Sequence, residues 1–209
     1  MTETATAVLP VGERLPAPMV SPIDRFIPRP DVRERHETVV HAPAALVLEV
    51  ARELDMQSIP LVHAIFWLRA KLMGSKVERS GRRKGFVAET RELGWGLLAE
   101  EPGRLFMAGA ACQPWHADVV FRPIPPERFA AFAEPDQVKI VWTLEAEPLG
   151  PESTRFASET RVVATDERAL LKFRRYWRWA GFGILTIRWL LLPAIRREAE
   201  RQWRETRSL

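Results

Sequence analysis

Cysteine is nearly absent from this chain: Cys112 stands alone among 209 residues. That excludes an intramolecular disulfide and any zinc site built on several thiolates. No apolar run reaches the ~20 residues that span a bilayer. The longest, Ala180 to Ile195, is interrupted by Arg188 and Pro193. The first residues, MTETATAVLPVGERLPAPM, lack a basic stretch followed by an apolar one. No secretory signal is read there, and a cytoplasmic protein is expected. Neither GxGxxG nor GxxxxGK followed by Ser or Thr occurs, which argues against nucleotide chemistry; no cofactor is expected. His36, His41 and His63 are scattered, with no HxH or HxxxH spacing, so no metal is expected either.

What is present is ordinary for a folded domain: 46% apolar and 28% charged residues. A chain of this length buries roughly 70% of its unfolded surface and needs no staple. The net charge is +4, which invites an anionic partner. However, the basic residues are 26 Arg against 5 Lys and are interleaved with 27 acids. A mixed-charge, solvated surface is the plainer reading, and no nucleic-acid partner is expected.

Residues 1–31 carry Pro10, Pro16, Pro18, Pro22, Pro28 and Pro30 without a sustained period. They read as an extended or disordered arm that packs near Ile27, followed by a single domain over 32–209. Arg33 to His41 suits a strand. Pro43 then opens a helix whose apolar face is Leu46, Val47, Val50, Ala51 and Leu54. Pro60 opens a second helix ending near Gly74, and a polar loop over 75–92 ends in a short helix around Val87–Leu93. Strands follow at Trp95–Glu100, Arg104–Cys112 and Ala117–Arg122. A proline-bounded insert over 123–136 holds one helical turn near Phe129.

The strongest strand signal is Gln137–Glu147, where Val138, Ile140, Trp142, Leu144 and Ala146 alternate with polar residues, apart from Val141. One dry and one wet face are expected, as in an antiparallel sheet covered on one side. Ser153–Thr165 is its partner. Asp166 is placed to cap a helix. From Glu167 towards Trp203 an apolar stripe recurs at steps of three or four: Leu170, Phe173, Trp177, Ala180, Ile184, Ile187, Leu191, Ile195. Pro193 is expected to bend this helix or divide it.

Strand, two short helices, a run of antiparallel strands and one long amphipathic helix define an α+β fold. The curved sheet must cover an apolar face, and the long C-terminal helix lying across it does so. Such an arrangement leaves a cleft suited to small apolar molecules. The chain resembles the START-like, helix-grip superfamily (SRPBCC), which includes polyketide cyclases, pollen-allergen-type proteins and lipid-transfer domains. The resemblance is nearest to bacterial members of undefined function. It is carried by residues 34–55 and 93–115, and more strongly by 129–166 and 173–200. It implies a hydrophobic ligand cavity and no shared catalytic residues.

Two sets of residues follow as site candidates. His116 in Trp115-His116-Ala-Asp118 could act as a general base. On a strand, though, it sits about 7 Å from Asp118 on the same face. A half-exposed histidine at a strand end is the simpler account. Aromatic and apolar residues from separate elements are predicted to face inward: Trp67, Trp95, Phe106, Trp115, Trp142, Phe156, Tyr176, Trp177 and Ile184. Flat walls of this kind suit rings or acyl chains, although a plain packed core uses the same residues. The leading expectation is a carrier or sensor of a hydrophobic small molecule or lipid. The alternatives are a cyclase- or dehydratase-like enzyme in the same cavity, and a peripheral membrane or protein-interaction module. Arg174, Arg175, Arg178, Arg196 and Arg197 flank the apolar stretch and suggest transient membrane contact. Oligomeric state is not readable.

Overall fold

Alternation in the strands and a three-four period in the helix build the architecture expected. A computed structural model describes residues 21–55, 71, 74 and 85–208, with backbone alone at 179 and 182–189. The predicted helix over Pro60–Gly74 lies outside the described residues, apart from positions 71 and 74. The elements are β1 (Val32–Val40), α1 (Ala44–Glu53), α2 (Phe86–Glu92), β2 (Gly96–Glu101), β3 (Leu105–Cys112), α3 (Pro126–Phe129), β4 (Val138–Gly150), β5 (Ser153–Ala164) and α4 (Glu167–Arg207). The strands form one antiparallel sheet in the order β1-β5-β4-β3-β2. This is an α+β fold of the helix-grip kind.

The long helix starts where its cap predicts. The Asp166 carboxylate accepts from the Ala169 amide at 2.7 Å, satisfying a donor the first turn leaves open. The helix runs through Pro193 as a single element of 41 residues. It grips the inner face of the sheet at two places. Near its start, Phe173, Tyr176 and Ala180 pack on Cys112, Val138 and Val162. Near its end, Leu192, Ile195 and Ala199 join α1, Val40, Phe106, Trp142 and Phe156. Each large apolar side chain buried there contributes about 1.5–3 kcal/mol.

The outer face is a correction to the sequence reading, because its middle strands are covered, while Arg33, Arg35 and Glu37 on β1 stay exposed. Residues 21–31, read as part of an arm, include a 3-10 turn at Pro22–Arg25, and Ile23, Phe26 and Ile27 are buried against the outer face. Ile124 and Phe129 from the proline-bounded insert cover the neighbouring patch of Leu105, Met107 and Val141. Phe26 meets Phe129 edge-on at 5.8 Å. Gly109 makes room for this second layer: a Cβ there would sit 2.5 Å from Leu98 and 2.8 Å from the Phe129 ring. The polar letters of β4 and β5 on this face, Lys139, Thr143, Glu159 and Arg161, are all buried.

A second correction concerns Ala117–Arg122. It is not a strand; only Arg122 pairs with the sheet, exchanging both backbone hydrogen bonds with Ala111 at 3.0 and 2.9 Å. Pro123 follows directly and has no N–H to continue the ladder.

Candidate functional site

Between the two grip points the inner face of the sheet carries polar side chains that are only half-buried. The register sets a row across four strands: Glu34 opposite Thr160, Thr160 opposite Trp142, Trp142 opposite Ala108. His36 opposite Ser158 forms the next row on β1 and β5. Glu34, His36, Thr38, Ser158 and Thr160 are only half-buried, although strands further along the same face are dry. The His36 Nε2 atom is itself buried and has no hydrogen-bond partner among the described residues. Its nearest acid, Glu34, has Oε2 at 3.9 Å, beyond hydrogen-bond reach. A buried, unpaired ring nitrogen is costly unless something else meets it.

Beside this polar strip stands an aromatic wall centred on Trp142. Phe86 lies 4.8 Å from it, Phe106 5.4 Å and Trp95 6.2 Å between ring centroids. Phe121 stacks on Trp95 at 4.7 Å. Gly94, at φ 99°, allows that stack: a Cβ there would come within 2.3 Å of the Phe121 carbonyl oxygen. Trp142 and Phe106 are buried, whereas Phe86, Trp95 and Phe121 keep an open side. The arrangement offers ring surface at one side and hydrogen-bonding groups at the other.

The structure distributes the predicted residues as follows. Trp95, Phe106 and Trp142 come together in this wall, and Phe156 lies fully buried in the same inner cluster. Trp115, Tyr176 and Trp177 belong to a different cluster, at the end of the sheet where α4 begins. Phe173 links the last two, at 6.4 Å from Tyr176 and 5.5 Å from Trp177. Ile184 is placed on α4 by its backbone alone. Trp67 lies outside the described residues. His116 is exposed on the loop after β3, and no ion pair joins it to Asp118 among the described residues. It does not reach the inner face. Glu34, His36, Ser158, Thr160, Phe86 and Phe121 were not singled out as site residues. The alternation Glu34, His36, Thr38 within β1 was the available signal.

The outer face holds the strongest electrostatics. Glu159, with 0% exposure, accepts from Arg161 Nε at 2.6 Å, Arg33 Nε at 2.8 Å and Arg35 Nη1 at 3.1 Å. Thr143 accepts from the Glu159 amide and donates to Glu145. Arg161, 3% exposed, also bonds Asp24 and donates to the Ile27 carbonyl at 2.8 Å. Burial alone pushes the Glu159 carboxyl up, but hydrogen bonds from Arg33, Arg161 and Arg35 outweigh it. Its pKa ends below the usual glutamate range. The Arg161 hydrogen bond likewise holds Asp24 below its ordinary value. Burial alone lowers the Lys139 amine, which donates to the Phe129 and Ala130 carbonyls at 3.2 and 2.9 Å. Every member of this network has at least one partner within it, and none of its buried side-chain atoms is orphaned among the described residues. Among the described residues, no group of three His, Cys, Asp or Glu is placed to hold a metal ion. No described helix is long and apolar enough to cross a membrane.

No family profile and no curated protein sequence matches the chain. Three solved structures are similar to it in outline. A hypothetical protein of Helicobacter pylori aligns over 93% of this chain and 99% of its own, at 10% identity and a TM-score of 0.41. A Deinococcus radiodurans protein aligns over 73% of this chain and 99% of its own, at 15% identity and a TM-score of 0.30. The Zhui aromatase/cyclase of Streptomyces sp. R1128 aligns over 82% of this chain and 94% of its own, at 15% identity and a TM-score of 0.28. At these values we carry over neither residues nor activity.

Proposed function

We propose that this protein binds a hydrophobic small molecule or lipid between the sheet and α4, as a carrier or sensor. One observation supports the reading above others. The middle of the inner face pairs an aromatic wall with polar side chains that keep solvent access, and one of these, His36, has a buried nitrogen without a partner among the described residues. A ligand with an apolar body and a single polar group would cover the open sides of Trp95 and Phe86. It would also give His36 Nε2 its missing hydrogen bond.

The test is native mass spectrometry of the purified chain with solvent extraction, alongside titration with 1-anilinonaphthalene-8-sulfonate. The expected result is a co-purifying apolar molecule that competes with the dye. Trp95→Ala should weaken dye binding about tenfold, since the ring supplies roughly 1.5–3 kcal/mol of apolar contact. An apo mass together with no dye binding would overturn the reading.

A second reading, a cyclase- or dehydratase-like enzyme in the same place, is favoured by the unpartnered His36 Nε2 with Glu34 nearby at 3.9 Å, rather than by His116. There His36 would take a proton from the bound molecule. His36→Gln should then abolish turnover of the extracted ligand while leaving its binding within about threefold; full turnover in that variant would sink it.

A further inference from the structure

We propose that the outward face of the first turns of α4 docks on an anionic lipid bilayer. This does not rest on the ligand reading. Ala169, Phe173, Tyr176 and Ala180 are buried and set the inward side of the helix. Leu171, Arg174, Arg175 and Arg178 fall on the opposite side by helical geometry. All four are exposed, and together they line one shallow surface pocket.

Two features in combination mark this patch. Its three guanidinium groups have no carboxylate within 4.0 Å among the described residues. By contrast, Arg196, Arg201 and Arg207 further along the same helix are each tied to a glutamate. Leu171 also projects one turn before these cations on the same face, with 66% exposure. Val120, at 71%, lies in the loop whose Trp115 packs beside the start of α4. These are the two most exposed large apolar residues of the described chain, and both belong to this end of the sheet.

Unpaired cations beside a protruding aliphatic side chain match a negatively charged headgroup layer over a hydrocarbon interior. Four side chains are too few for a stable protein interface, which takes about 800 Å² per partner. A membrane needs no matching shape and gains from each charge separately.

The experiment is co-sedimentation of the full chain with vesicles of phosphatidylcholine, with and without phosphatidylserine, at low and physiological salt. Binding is expected only to the anionic vesicles and should fall with salt. Each cation near the surface contributes about fivefold, so Arg174→Gln, Arg175→Gln and Arg178→Gln together should weaken binding roughly 100-fold. Leu171→Ser should weaken it too, at unchanged salt dependence. The triple variant Arg201→Gln, Arg204→Gln, Arg207→Gln removes the same charge elsewhere and should change binding less than about threefold. Circular dichroism melting of each variant controls for folding. Equal loss in the two triple variants, equal binding to neutral vesicles, or no vesicle binding would overturn the proposal. So would binding to an acidic polypeptide such as polyglutamate with none to vesicles.

Discussion

The two faces of the one sheet handle polar residues in opposite ways. On the outer face, Glu159 and Arg161 are sealed off from water and bonded to each other, and Arg161 reaches on to Asp24. On the inner face, Glu34, His36, Ser158 and Thr160 sit half-open, and no described residue meets the buried His36 nitrogen. A satisfied buried network specifies structure; an unsatisfied one is a place where something else belongs. The outer face therefore reads as the part of the molecule that holds shape, and the inner face as the part that receives.

The largest effect should come from breaking the outer network. Glu159→Gln leaves Arg161 buried, facing a neutral amide, and should cost about 3–5 kcal/mol of stability, measured by denaturant titration. Dye binding at the inner face should survive at temperatures where the variant remains folded. A loss under 1 kcal/mol would mean the two faces do not differ as described.

Acid should act on the same side of the comparison. Glu159 and Asp24 both titrate lower in the folded chain than free, so the unfolded chain takes up protons first as pH falls. Their contribution is whole at neutral pH. It begins to be lost as pH drops through the ordinary glutamate value of 4.5, and is gone below the folded values. Melting temperature followed from pH 7 to pH 3 should fall in this window, with a shallower slope in Glu159→Gln. A parallel slope in that variant would contradict the assignment.

The smallest change is expected from the inner face. His36→Leu removes a nitrogen that bonds to nothing described, so stability should shift by less than about 1 kcal/mol, in either direction. Ligand or dye affinity should change more than stability does. A loss of several kcal/mol would show that His36 is a packing residue and close the gap between the two faces.

Much of this architecture was legible in the sequence, because period and punctuation carry it. The β4 strand itself, the Asp166 cap and the long amphipathic α4 each come from local rules that tertiary context did not override. Two things were not legible. Lys139, Thr143, Glu159 and Arg161 look solvated by letter, since a buried, paired polar residue has the same one-letter code as a wet one. Only the cover supplied by Ile23, Ile27 and Phe129 makes them interior. The polar strip of the inner face was hidden for a related reason. The alternation of Glu34, His36 and Thr38 gives one face of β1, but not which face meets the helix; that is fixed by pairing with the distant β5, where Glu34 lies opposite Thr160 and His36 opposite Ser158. Among the aromatics, Trp95, Phe106 and Trp142 are joined by register and by the Gly94 turn. Trp115 and Trp177 are drawn to the other end of the helix by the chain path after β3.

The hold of Arg161 on Asp24 and on the Ile27 carbonyl has a practical consequence for anyone shortening the chain. A cut placed at the first strand, Val32, looks natural from secondary structure. It would strip away Ile23, Phe26 and Ile27, uncover the apolar patch beneath them and leave a guanidinium without its acid and its carbonyl. Such a product should aggregate on expression, whereas one beginning at Ser21 keeps every one of these contacts. The folding unit reaches at least eleven residues upstream of where the sheet begins.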